Sequence, residues 1–275
     1  MKTSTSKRLR WNVAIWLAAG LFMTSTAGMA SGPILPDPKA EARHHPQIEE
    51  TANGIPLVNI TAPSSGGVSR NEYEMFNVPD KGAILNNSYT LSKTELAGYV
   101  PGNNNMAERP AKIIVNEVTG TGSTSMDGFL EVAGNRADVV IANPNGITVN
   151  GGGFINTGKA FLTTGKPVYD GEDHLQRFDI TGGDILIEGK GLGGKETESL
   201  AILSRAVKIN AGIWAEDLHI TTGANTVDAK TLEASAIEGK GGRPAFALDT
   251  AAIGGMYAGR ITFCLLYTSD AADER

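Results

Sequence analysis

Leu130 to Gly165 reads LEVAGNRADVVIANPNGITVNGGGFINTGKAFLTTG, and Asn143-Pro144-Asn145-Gly146-Ile147 lies at its centre. Two β-rich apolar runs, Val139-Val140-Ile141 and Phe161-Leu162, flank Asn, Pro and Gly residues whose chemistry is that of turns. Pro144 presets φ for the second position of a turn, and Asn145 tolerates the bend at the third. Gly146 supplies φ > 0, where a Cβ would clash, before Ile147-Thr148-Val149 resumes an extended path. The segment therefore predicts strand, corner, strand.

Outward from this corner, short apolar or alternating runs recur at Ile84-Leu85, Ile113-Ile114-Val115, Phe129 to Val132, Ile185-Leu186-Ile187, Val207-Lys208-Ile209 and Leu218-His219-Ile220. The step is irregular but often about twenty residues, and no amphipathic helix is long enough to cross over a parallel sheet. Strands of a few residues between Gly/Asn corners predict a coil that winds, with a β-sandwich as the alternative. In a coil, each rung stacks its apolar residues on the next, and inward Asn side chains can ladder at the corners.

Several separated strings carry a family likeness. Asn53 to Ile60 (NGIPLVNI) leads to Gly67 to Tyr73 (GVSRNEY), Phe76-Asn77-Val78 and Gly82 to Ser88 (GAILNNS). Ile113 to Val118 (IIVNEV) comes after these, then the core string, Arg205 to Ala211 (RAVKINA) with Ile213-Trp214-Ala215, and Gly254 to Ala258 (GGMYA). In content and order these resemble the N-terminal secretion domain of filamentous haemagglutinin-type exoproteins. Those are the passengers of two-partner secretion (TPS), adhesins and contact-dependent growth-inhibition proteins among them.

The resemblance covers roughly Asn53 to Phe263 and implies an all-β fold, a right-handed parallel β-helix with N-terminal capping strands. It further implies recognition by the periplasmic POTRA modules of a TpsB-type outer-membrane β-barrel transporter. Export through the periplasm to the surface or medium of a Gram-negative bacterium would be the outcome, with rungs folding outside. Two sites carry the expected recognition or fold nucleation: Asn143, Pro144, Asn145, Gly146 and Ile147, and a second motif, Asn103, Asn104, Asn105 and Met106. At the second, many relatives carry Asn-Pro-Asn-Leu, and the Pro is lost here. Val149 and Gly152 stand where many growth-inhibition members have a cysteine pair, so no disulfide can close that corner.

The N-terminus points to the same compartment. Lys2, Lys7, Arg8 and Arg10 precede a mostly apolar run from Trp11 to Met23, followed by small residues up to Ala30. Residues 1–30 read as a secretory signal peptide, too short in its apolar part to span a bilayer. Residues 31–50, with Pro33, Pro36, Pro38 and Pro46 and no apolar periodicity, read as an extended linker. Residues 51–263 are the expected β-helix domain. From Cys264 to Arg275 the Gly/Asn punctuation stops, and that tail is expected to be non-native, an assembly artefact at the end of a fragment of a longer protein. Any adhesive or toxic region that meets host or neighbouring-cell receptors would lie downstream.

Composition excludes some functions. The chain holds 34 Gly against 8 Phe, 6 Tyr and 3 Trp, so corners outnumber bulky plugs. Without the four N-terminal cations, 20 Lys and Arg oppose 30 Asp and Glu, a formal net charge of −10. Nucleic-acid binding wants a basic face and is disfavoured. Cys264 is the only cysteine, so no disulfide framework is expected.

Sharper motifs weigh little. Gly189 to Lys195 nearly makes a phosphate loop, but Glu196 stands where Ser or Thr must hold Mg²⁺, and an excursion loop between rungs is the simpler reading. Asp170, Glu172, Asp173 and His174 could ligate a divalent cation, yet no calcium-loop pattern surrounds them, and a solvated charged turn is expected. His44-His45 sits in the expected linker with nothing converging on it, and His219 should face solvent. Polysaccharide lyases and glycosidases also use β-helices and paired carboxylates. Asp179 and Asp184 are the candidates here, without a second acidic group at rung spacing. Direct glycan binding by the rungs is a third reading. The expected chain is not an enzyme and takes no cofactor or metal.

Overall fold

The computed structural model describes residues 32–106, 109–194, 196–242, 244–250 and 255–265. The expected signal peptide, residues 1–30, lies outside them. The chain winds through successive coils, each offering up to three short strands to three parallel faces, A, B and C. Ahead of the coils come two capping strands, β1 (Ile34–Pro36) and β2 (Gln47–Glu50), joined through a 3₁₀ turn at Ala42–His44. The first coil has β3 (Pro56–Asn59) on face A and β4 (Val68–Phe76) on face B. The second has β5 (Ala83–Asn87), an excursion hairpin β6 (Ser92–Thr94) and β7 (Gly98–Val100), then β8 (Ile113–Val118) and β9 (Thr124–Met126) on faces B and C. The third is the most regular: β10 (Phe129–Gly134), β11 (Ala137–Ala142) and β12 (Ile147–Val149).

The fourth coil contains β13 (Gly152–Ile155) and β14 (Thr157–Thr163), an excursion of β15 (Lys166–Tyr169) and β16 (Leu175–Ile180), and β17 (Asp184–Ile187). Next come β18 (Leu192–Gly194), β19 (Ser199–Ser204) and β20 (Ala206–Ile209). In the sixth coil β21 (Gly212–Thr222) serves two faces with one strand, pairing β18 through Ile213–Ala215 and β19 through Leu218–Thr222. The excursion β22 (Asn225–Asp228) and β23 (Ala234–Ala236) and the face-C strand β24 (Leu248–Thr250) come after it. β25 (Gly255–Leu265) lies parallel to the whole of β21 as the last coil. This is the all-β parallel β-helix foreseen, wound in the right-handed sense of parallel crossovers.

Stacking explains the core. On face B one register line runs Asn71, Asn116, Ile141, Leu162, Ile202, Ile220, Phe263. Face C stacks Thr124, Ile147, Ile185, Val207 and Leu248. Most of these side chains are fully buried, and each fully buried apolar one adds roughly 1.5–3 kcal/mol of transfer free energy. The two asparagines at the start of the face-B line bond forward into the next coil. Asn71 Nδ2 donates to Val115 O and Asn116 Nδ2 to Val140 O, each at 3.2 Å, and Tyr73 Oη donates to Asn116 Oδ1 at 3.0 Å.

The excursions cover outer surfaces. The antiparallel sheet β15-β16-β22-β23 brings Phe178, Ile180 and Val227 onto Val115, Val140, Phe161 and Leu203 on the outside of face B. The β6–β7 hairpin covers Leu57, Ile84 and Ala133 on face A with Leu96, Ala97 and Val100.

Three expectations need correction. Residues 31–50 are not a free linker: β1 pairs antiparallel with β4, β2 pairs antiparallel with β3, and His44 is buried. The prolines misled because a capping strand is an edge strand, where a residue without an N–H costs nothing; Pro36 lies opposite Tyr73, and Pro33 O accepts the N–H of Asn77. Gly189 to Gly194 is not an excursion. Its first residues form a tight turn closed by Gly191 N–H donating to Glu188 O at 2.9 Å, and Leu192–Gly194 is itself a rung. Among the described residues no α-helix comes after this turn, so it lacks the helix N-terminus a phosphate loop requires. At the other end, Cys264 and Leu265 continue the pairing of β25 with Thr221 and Thr222, two residues beyond the expected boundary, and residues 266–275 lie outside the described residues.

Candidate functional site: two asparagine corners and a charge knot

Both predicted corners are built on one plan, although they occupy different edges of the helix. Asn143 directly follows β11 where face B turns to face C, and Asn103 lies beyond the ends of β3 and β5. Each first asparagine is buried and donates a side-chain N–H to a neighbouring coil, Asn103 giving its other N–H to Asn86 of its own coil. Asn103 Nδ2 reaches Ile60 O and Asn86 O, both at 2.9 Å; Asn143 Nδ2 reaches Gly122 O at 2.9 Å and Thr124 Oγ1 at 3.0 Å. Each Oδ1 accepts the N–H two residues on, from Asn105 and Asn145, at 2.9 Å. Each backbone carbonyl accepts the N–H three residues on, from Met106 and Gly146, at 3.1 Å. This is an Asx turn superposed on a β-turn.

The third residue repeats the device. Asn105 Nδ2 donates to Ile60 O at 3.1 Å, and Asn145 Nδ2 to Gly120 O at 2.8 Å. Losing Pro at position 104 therefore leaves the corner intact, because the side-chain bonds, not the pyrrolidine, close it. The corners differ at the fourth residue. Gly146 has φ +113° and its absent Cβ would lie 3.0 Å from Asp184 O, whereas Met106 needs no positive φ and packs into the main core. Ile147 joins the face-C stack. Only Asn104, Pro144 and Asn145 of the nine residues are exposed. The two corners share no hydrogen-bond partner.

Gly146→Val is expected to destabilise the domain by about 1–3 kcal/mol through the φ it must adopt and the tight approach to Asp184. Lys190→Ala, an exposed change, should leave the urea midpoint where it is. Equal midpoints for the two variants would show that the corner tolerates a side chain.

A second cluster was not legible in the sequence. His44 is 4 % exposed, and its Nδ1 lies 3.1 Å from Glu72 Oε1 and Nε2 3.8 Å from Asp173 Oδ2. Arg70 Nη2 contacts Glu72 at 2.8 Å and Glu117 at 3.3 Å, with its guanidinium 4.4 Å above the Tyr169 ring. Arg43 pairs with Asp173. The 3.3 Å contact lacks hydrogen-bond geometry, leaving Glu117 Oε2 without a bond. Burial pushes the Glu117 carboxyl above the ordinary carboxylate range, with Arg70 opposing it, and burial likewise raises the Tyr169 phenol. The knot joins the capping segment, the first two coils and the β15–β16 loop.

The acidic loop thus turns Asp173 inward, while His174 Nδ1 lies 2.9 Å from Asp170 Oδ2. Among the described residues no group of three or more His, Cys, Asp or Glu is placed to hold a metal ion. Asp179 is engaged by Arg177 at 2.8 Å in the covering sheet, and Asp184 opens β17 on face C, so the two share no face. His219 is half-buried, and burial lowers its pKa.

Comparison with known proteins agrees with this architecture. The family described as TPS secretion domain matches residues 33–266. The chain is 46 % identical over 237 residues to "16S rRNA endonuclease CdiA" of Enterobacter cloacae subsp. cloacae, covering 85 % of this chain and 7 % of that protein. It is 47 % identical over 234 residues to "Toxin CdiA" of Yersinia pestis, covering 84 % and 7 %. The chain thus spans about 7 % of the length of these curated relatives. The crystal structure of the filamentous hemagglutinin secretion domain superposes with a TM-score of 0.78 at 32 % identity, covering 86 % of this chain and 80 % of that one. The chain belongs to the TPS secretion domain family.

Proposed function

We propose that this domain targets a longer exported protein to a TpsB-type outer-membrane transporter, whose periplasmic POTRA modules recognise it, and that its first coils then template β-helix folding at the cell surface. The observation that carries the reading is the pair of corners. Their buried asparagines spend their side-chain hydrogen bonds on closing the corner and tying its coil to the preceding one, an arrangement suited to nucleation. Asn103, Met106, Asn143, Gly146 and Ile147 are buried once the coil closes, so a partner reading them directly meets them beforehand. In that state exposed backbone can add as a strand to a sheet in the partner.

Folding free energy of successive rungs then biases movement outward, each coil stabilising the next. The downstream region would carry the adhesive or toxic activity and meet its receptors; this segment would be neither a catalyst nor a nucleic-acid binder. The test is a pull-down against purified periplasmic modules of the cognate transporter. Capture of denaturant-pulsed chain is expected to exceed capture of native chain, and export of Gly146→Val should fall below that of Lys190→Ala. Capture of neither form, together with cleavage of an acidic polysaccharide, would instead favour the lyase reading.

A further inference from the structure

The outer side of face A carries a row of residues unlike the rest of the surface. Phe129 pairs with Gly153, Gly153 with Gly193, Gly193 with Trp214, and Trp214 with Tyr257, one residue from each of five successive coils. At the usual strand spacing the row is about 19 Å long. A Cβ on Gly153 would lie 2.4 Å from Phe129 Cε1, and one on Gly193 3.7 Å from the same ring, so the phenyl lies across both glycines. Phe129 is nevertheless 42 % exposed. The Trp214 and Tyr257 rings are parallel within 11° at 5.9 Å between centroids.

The Phe129 and Trp214 rings, with Gly193 between them, floor a groove of about 620 Å³, walled by Glu95 from the β6–β7 hairpin and Glu196 from the β18–β19 turn. No described residue lining it is basic, and neither carboxylate forms an ion pair among the described residues. Arg136, at the neighbouring end, is bound to the Glu198 carboxylate and donates to Thr157 O and Glu196 O, leaving the Glu196 carboxylate without an ion pair among the described residues.

We infer that this trough binds the guanidinium or ammonium side chain of a basic peptide segment on a partner protein, the cation stacked on Phe129 and Trp214 and paired with Glu95 and Glu196. Ring faces present negative quadrupole to a cation, and two carboxylates beside them complete a cationic cradle. A formal charge of −10 on residues 31–275 draws a basic partner and repels an anionic one. A neutral sugar chain would use the rings but has no need of both carboxylates. The inference does not depend on the secretion reading, and its failure would leave that reading intact.

Trp11, Trp16 and Trp214 are the only tryptophans, so a full chain carrying W11F and W16F reports from the groove alone. Titration with amide-capped hexa-arginine is expected to change its emission saturably. Glu95→Gln with Glu196→Gln should weaken that response about tenfold, the sum of two exposed ion pairs, and added salt should weaken it too. Gly193→Val, which fills the floor and leaves both carboxylates, should abolish it, with far-ultraviolet circular dichroism verifying the fold of each variant. Absence of a saturable response, unchanged binding in the double Gln variant, or a response only to a neutral hexasaccharide would overturn the assignment.

Discussion

Asn143→Ala is expected to lower the free energy of unfolding by roughly 3–5 kcal/mol, near the upper end for a single substitution. The loss is large because alanine strands several groups at once. Gly122 O and Thr124 Oγ1 lose a donor, and Asn145 N–H loses its acceptor, all at the junction of coils. Water cannot easily replace the amide, since Asn143 is fully buried. Asn103→Ala removes the same set of bonds at the other corner, to Ile60, Asn86 and Asn105, and should cost a similar amount. Asn104→Ala and Pro144→Ala change exposed residues and should shift the urea midpoint little. A midpoint for Asn143→Ala matching that of Asn104→Ala would refute the clamp.

Arg70→Ala should be comparably severe, about 3–5 kcal/mol, because it leaves Glu72 and Glu117 confined without their cation. Glu117→Gln should recover part of that loss in the double variant, and alone it should alter the pH dependence of stability. Well below the ordinary carboxylate range Glu117 is protonated folded and unfolded, and contributes nothing. As pH rises toward its elevated native pKa, the unfolded chain has released a proton that the folded chain retains or gives up at a cost, so stability falls through that window. Above it the deficit is constant. Gln removes the fall, and Arg70 keeps Glu72 at 2.8 Å. Urea midpoints from pH 4 to 8, with the Gln variant gaining on the parent as pH rises, would establish this; a constant difference would refute it.

Much of the winding could be read from Val139-Val140-Ile141, Ile185-Leu186-Ile187 and Val207-Lys208-Ile209, because strand runs and Gly/Asn corners are local signals. Their division among three faces could not. Excursions such as Lys166–Ile180 separate strands of one coil and destroy a fixed period. The Asn143 corner was legible because turn chemistry is short-range. The His44 knot was not, since its members come from residues 43 to 173 and meet only after folding. Arg70 and Glu72, two apart on a strand and so on one side of it, were the one available hint. Likewise Phe129, Gly153, Gly193 and Trp214 share a row only once the coils are counted.

The face-B line that begins Asn71, Asn116 and continues through Ile141 to Phe263 has a directional beginning and an oily remainder. Aliphatic side chains attract one another at almost any sliding offset, so a pile of them alone keeps poor count of position. An amide that must find one particular carbonyl in the layer ahead admits a single alignment. A misplacement by one residue would turn every side chain of a strand to the opposite surface. The asparagine layers therefore act as the zero mark of a ruler: phase is set once, by hydrogen bonds, and copied onward by greasy layers that could not have chosen it themselves.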